Sequence, residues 1–194
     1  MTKHAPVPAE IAKNKNRPSA ARENQSGPAI PVAIDRLANA IAQRHPARDK
    51  ILLLGIANGG IALARRLAAK IPGSRPGVLD ISFHRDDIGR HPIPKEFAPT
   101  HIPGDVNNAS IVLVDDVLQS GRTINAALNE VFDHGRPARV ELAILVDRGG
   151  RRLPIAADYT GLRLAATETE KIRIHIDPEN PSLDTLEITE TAKR

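Results

Sequence analysis

The chain has 194 residues, a formal net charge of +4, 41% hydrophobic residues and only 2% aromatic ones. The absence of cysteine excludes a disulfide framework and a thiolate metal centre, and no apolar run reaches the length of a membrane span. With no apolar region of a secretory signal at the N-terminus, this composition points to a soluble, cytoplasmic protein built on one aliphatic core.

Residues 1–30 read as a disordered basic arm, in which Lys3, Lys13, Lys15, Arg17 and Arg22 outnumber Glu10 and Glu23 among Pro, Asn and Ser. A folded domain is expected over 31–178 and a C-terminal tail over 179–194, the sequence leaning acidic from Glu168 onward. Ile34, Leu37, Ala38, Ile41 and Ala42 recur at helical spacing and predict a helix ending near His45-Pro46. Ile51 to Leu54 is a first strand, "GIANGG" over 55–60 a glycine-rich turn, and Ile61, Leu63, Ala64, Leu67, Ala68 and Ile71 the face of a second helix. "VLDISF" over 78–83 predicts another strand. The stretch from Asp86 to Asp105, rich in Pro and His and without periodicity, reads as a flexible lid or hood. Ile111 to Val114 form an apolar strand, Ile124, Ala127, Leu128, Val131 and Phe132 a helix, and 140–147 a further strand. A short "ADYTG" segment and a last strand near Ile172 to Ile176 complete the pattern. Strands alternating with helices predict an α/β fold with a mostly parallel central sheet.

"IVLVDDVLQSGRT", residues 111–123, places two carboxylates and a hydroxyl-rich turn between strand and helix. A nucleotide triphosphatase needs a Gly-Lys-Ser or Gly-Lys-Thr phosphate loop, and none occurs. A phosphoacceptor receiver would cluster its acids from the first strand, whereas this pair comes with the third. A sugar-phosphate site fits best: Asp115 and Asp116 accept from neighbouring ribose hydroxyls, while Ser120, Gly121, Arg122 and Thr123 offer N–H and hydroxyl donors to a phosphate. The seven histidines show no paired ligand spacing on any recognisable element, so no metal site of the chain's own is expected.

The same stretch resembles the phosphoribosyl diphosphate (PRPP) motif of type I phosphoribosyltransferases. The continuation "VFDHGRPARVELAILVDRGGRRLPIAADYTG" is similar to the PyrR family, as are "GVLDISFHRDDI" and "LLGIANGGIALARRLAAKI" upstream. The resemblance covers about 34–176. It implies the type I phosphoribosyltransferase fold with a hood, and uracil phosphoribosyltransferase activity that makes UMP and diphosphate from uracil and PRPP with Mg2+. It also implies UMP-dependent binding of pyrimidine-leader RNA in transcription regulation, and a dimer or higher homo-oligomer.

By this resemblance the PRPP-binding segment comprises Ile111, Val112, Leu113, Val114, Asp115, Asp116, Val117, Leu118, Gln119, Ser120, Gly121, Arg122 and Thr123. Gln119-Ser120 stands where the family has Tyr-Thr. The diphosphate loop corresponds to Gly55, Ile56, Ala57, Asn58, Gly59 and Gly60, with Ala57 and Gly59 in place of a lysine and an arginine. Losing both cations weakens charge stabilisation on diphosphate. Arg85, Asp86 and Asp87 open the hood as lid or catalytic candidates, Asp147 and Arg148 are placed near the base, and Tyr159 is expected in the core.

Arg36, Arg44 and Arg151 stand where an RNA-binding surface is expected. Asp35, Asn39, Gly150, Ala156 and Leu162 depart from it, and Arg65, Arg66, Arg136, Arg139, Arg152 and Arg163 offer a different basic patch. The resemblance leaves two alternatives open, a UMP- or PRPP-sensing regulator with little turnover and a transferase that prefers a purine.

Overall fold

In the computed structural model, residues 29–46, 51–56, 59–84 and 99–190 are described. The basic arm up to residue 28, Ala57 and Asn58 of the glycine-rich loop, and the lid candidates Arg85, Asp86 and Asp87 lie outside the described residues.

Five strands form one parallel sheet in the order β2-β1-β3-β4-β5. These are β1 (Ile51–Ile56), β2 (Arg75–Leu79), β3 (Ser110–Leu118), β4 (Arg139–Asp147) and β5 (Tyr159–Arg163). A two-residue side-chain alternation splits the core into two layers. Leu53, Val112, Val114, Ala143 and Leu145 pack with α1 (Ala29–Arg44) and α2 (Gly59–Ala68). Leu52, Leu54, Ile111, Leu113 and Ile144 pack with α3 (Arg122–His134) on the other face. Both faces are covered, which is why the central strands read as unbroken aliphatic runs.

The expected α/β architecture with a parallel sheet is what the chain forms, with corrections at the edges. The strand expected at 78–83 instead spans Arg75–Leu79. At the edge of the sheet it pairs along its length with β1 and on its other side makes an isolated bridge from Val78 to His101, so it tolerates exposed Arg75 and Pro76. Asp80 then ends it by accepting the Ser82 backbone N–H at 2.9 Å and the Ser82 hydroxyl at 2.6 Å. The end of the stretch expected as a hood is ordered: His101 and Val78 exchange backbone hydrogen bonds of 2.8 and 2.9 Å.

The stretch expected as an arm to residue 30 overlaps α1, which begins at Ala29. The stretch expected as a tail from 179 carries β7 (Thr185–Glu190), paired antiparallel with β6 (Glu170–His175). Leu186 is buried with Ile172 and Ile176 against the α1/α2 layer, and buried Asp184 accepts from the Arg66 guanidinium at 2.8 Å. Those contacts fold a segment whose composition looked solvated. No helix among the described residues is long and apolar enough to cross a membrane.

Candidate functional site

The site lies at the carboxyl edge of the sheet, where ligands of open α/β folds bind. The acids do not sit after the third strand, as the sequence suggested, but within it: Asp115 pairs with Ile144, and Val117 with Val146, as β3 runs on to Leu118. An acid is tolerated there because it finds donors. The Asp116 N–H donates to Asp115 Oδ1 at 3.0 Å, and the Val117 N–H to Asp116 Oδ1 at 2.8 Å. Burial pushes the Asp115 carboxyl well above the ordinary carboxylate range, and the neighbouring Asp116 charge pushes it further. Burial also raises Asp116, but it accepts a hydrogen bond from Asp115 and others from backbone N–H groups, which oppose the rise.

Beyond β3 the chain makes the expected turn into α3. Gly121 caps the helix at φ 90°, a left-handed conformation that favours glycine, and the Ser120 hydroxyl accepts the Arg122 N–H at 3.3 Å. The first backbone N–H groups of a helix lack intrahelical partners, so this end suits an anion. The carbonyls of the turn are held from behind. Arg151 donates to Leu118 O at 3.1 Å and Gln119 O at 3.0 Å, while the Arg152 and Leu153 N–H groups both donate to Ser120 O at 3.0 Å.

A cavity of about 230 Å³ opens in front of this turn, lined by Asp115, Val117, Leu118, Gln119, Ser120, Gly121, Thr123, Ile124, Arg148, Lys171 and Ile172. Six of the predicted turn and strand-end residues and Asp115 are thus brought together with Arg148. Asp147 is not: it binds Arg151 at 2.7 Å and accepts the Gly149 N–H at 3.0 Å, buttressing the loop behind the turn. Lys171 and Ile172 were missed, because β6 offers no motif and reaches the site only through tertiary packing against β3.

The glycine-rich loop is shorter than expected. Gly55 and Ile56 belong to β1, and Gly59 and Gly60 already belong to α2. Gly59 touches the site directly, since a Cβ there would run into the Asp116 carboxylate.

The arginines placed on an RNA surface are bonded within the chain. Arg36 donates to Gly161 O at 2.8 Å, Arg44 pairs with Glu141 at 2.9 Å, and Arg151 holds the turn. The alternative basic patch is likewise broken up, with Arg66 buried against Asp184 and Arg139 beside Glu141. Tyr159 is a core residue, 6% exposed, its hydroxyl donating to Glu141 at 2.8 Å.

A family profile for the phosphoribosyl transferase domain matches residues 23–179. The bifunctional protein PyrR of Streptomyces coelicolor is 44% identical over 174 residues, covering 87% of this chain and 90% of that protein. The bifunctional protein PyrR of a Roseiflexus species is 43% identical, covering 82% of this chain and 90% of its own. Among solved structures, a hypoxanthine-guanine phosphoribosyltransferase from Bacillus anthracis shares the fold with a TM-score of 0.62 at 17% identity, covering 83% of this chain and 93% of that one.

Proposed function

This chain belongs to the PyrR family of phosphoribosyl transferases, and on that basis we propose that it transfers the ribose 5-phosphate of PRPP to uracil, giving UMP and diphosphate. The observation that carries this reading is the cavity in which a buried acid of β3 faces the glycine-started end of α3. Asp115 and Asp116 accept from the ribose hydroxyls, and the turn from Gln119 to Thr123 takes the 5-phosphate through its N–H groups and the Ser120 and Thr123 hydroxyls. Arg148, buried in the cavity wall, and Lys171, exposed at its rim, add positive charge. Gly55, Ile56, Gly59 and Gly60 flank the diphosphate, which they approach with backbone alone.

The reaction joins a uracil nitrogen to the anomeric carbon as the carbon–oxygen bond to diphosphate breaks, and the nitrogen loses its proton. Charge builds on the departing diphosphate and on an oxocarbenium-like sugar, so positioning and electrostatics carry the catalysis. Phosphoribosyltransferases generally use Mg2+ with PRPP. Asp115 lines the cavity and Asp116 follows it in β3; both offer only hard oxygens, the donor type that Mg2+ accepts alongside water and phosphate, so the site fits the ion that PRPP brings. Bound there, Mg2+ supplies charge neutralisation to the leaving group.

Control of pyrimidine-gene transcription is the second role of the PyrR family. RNA binding by this chain is the weaker of its two roles, because Arg36, Arg44 and Arg151 are bonded to the chain itself. The deciding experiment is UMP formation from uracil and PRPP with Mg2+, run beside hypoxanthine, guanine and orotate at high protein concentration. UMP from uracil alone is expected. Product from a purine instead, or PRPP binding with no product from any base, would overturn the assignment in favour of a purine transferase or a sensor.

A further inference from the structure

On the α3 face, away from the cavity, three side chains converge. His84 ends a 3-10 turn (Ser82–His84) that follows β2, and Glu130 and Asp133 stand three positions apart in α3, hence on one helix face. His84 Nε2 lies 3.1 Å from Glu130 Oε2 and 3.1 Å from Asp133 Oδ2. One imidazole nitrogen carries a single proton and makes one linear hydrogen bond, so two carboxylates at equal distance share it poorly. A metal ion between them serves all three. Tetrahedral bonds of about 2.0 Å place neighbouring ligand atoms about 3.3 Å apart, close to what is found here.

The surroundings match those of a ligating carboxylate. Glu130 Oε1 is engaged from the outer side, accepting the Thr100 hydroxyl at 2.6 Å with His134 Nε2 at 3.2 Å. That leaves Oε2 directed to the point shared with His84 and Asp133, as outer partners orient metal-bound acids elsewhere. Glu130 is mostly enclosed, with a side chain 13% exposed, while Asp133 is 68% exposed, so one side of the point is open to water.

We propose that His84, Glu130 and Asp133 form a binding site for one zinc-like divalent ion, with a water in the fourth position. One imidazole and two carboxylates suit Zn2+ and its first-row neighbours, whereas Mg2+ prefers an all-oxygen octahedron. The site is separate from the Mg2+ that accompanies PRPP: from Arg122 to Glu130 the helix rises about 12 Å. Its occupation ties the turn after β2 to α3.

The test uses the full chain freed of metal by a chelator and titrated with Zn2+ against a chromophoric competitor. One Zn2+ per chain is expected, undisturbed by excess Mg2+, with a rise in Tm as the ion binds the folded state. Asp133→Asn alters an exposed side chain, so the fold stands. It and His84→Gln should each weaken Zn2+ by at least about tenfold, the scale on which even outer partners act, and abolish the rise in Tm. Absence of stoichiometric Zn2+, displacement by Mg2+, or unchanged affinity in both variants would overturn the site.

Discussion

The Asp116 carboxylate occupies the space into which any side chain at Gly59 would project. The family's arginine at this position has therefore not been lost in isolation; its absence accompanies a close approach of β3's acid to the start of α2. Electrostatically the exchange suits the acid, because the N-terminal end of a helix carries partial positive charge.

Gly59→Ala should consequently be more than a loss of flexibility. The added methyl displaces Asp116, at an overpacking cost of about 1–3 kcal/mol, and weakens PRPP binding along with it. Thermal denaturation and PRPP titration check both effects. A variant as stable as the parent, with equal PRPP affinity, would refute the contact.

Asp115→Asn should separate stability from binding. Because folding raises the Asp115 pKa, the protonated acid is the form that the fold favours. Its contribution is full below the ordinary value of 3.8 and is lost as pH rises through the raised value. Asparagine never ionises, so the variant's gain in Tm over the parent should be smallest in acid and grow towards neutral pH. PRPP binding, deprived of a charged acceptor, should weaken by about 1.5–3 kcal/mol. A variant with a Tm advantage independent of pH would mean that the acid is not strained by burial.

The fold and half of the site were legible because they rest on local patterns. Aliphatic runs mark strands buried on both faces, and the Asp-Asp pair followed by a glycine turn marks the passage from β3 into α3 at the sheet's carboxyl edge. What escaped depends on tertiary contact. The alternation of Leu186 and Ile188 is submerged in an acidic stretch, and β7 becomes visible only once Arg66 meets Asp184. Lys171 reads as one charge among many until β6 packs beside β3. The resemblance places Arg36, Arg44 and Arg151 by position alone, and position does not reveal that each already has a carbonyl or carboxylate partner. The histidine–carboxylate cluster joins a turn and a helix 46 positions apart in the chain, His84 to Glu130, a spacing no local motif records.

Lys171→Ala should raise the KM for PRPP by about tenfold, equivalent to about 1.4 kcal/mol, with the fold intact. The residue is exposed at the cavity rim, where it adds positive charge for an anionic ligand. Substitution of an exposed side chain leaves stability within about 0.5 kcal/mol. Steady-state kinetics with uracil in excess give the answer; an unchanged KM would remove Lys171 from the site.

Arg151 distinguishes the two roles of the family most sharply. Its guanidinium donates to Leu118 O, Gln119 O and Ile155 O and pairs with Asp147, so it holds the turn proposed to receive the 5-phosphate. Were its task to grip RNA phosphates, Arg151→Ala would weaken transcript binding and lower the salt slope by about one. With the guanidinium already engaged at four partners, the expected result is different. PRPP affinity falls, by the about 1.5–3 kcal/mol that a charged hydrogen-bonding group contributes, and binding to a pyrimidine-leader transcript in the presence of UMP changes little at any salt. Filter binding across a salt series, beside PRPP titration of the same preparation, measures both. A steep loss of RNA affinity with PRPP binding intact would return Arg151 to the RNA surface and show that its bonds to the turn give way when a phosphate arrives.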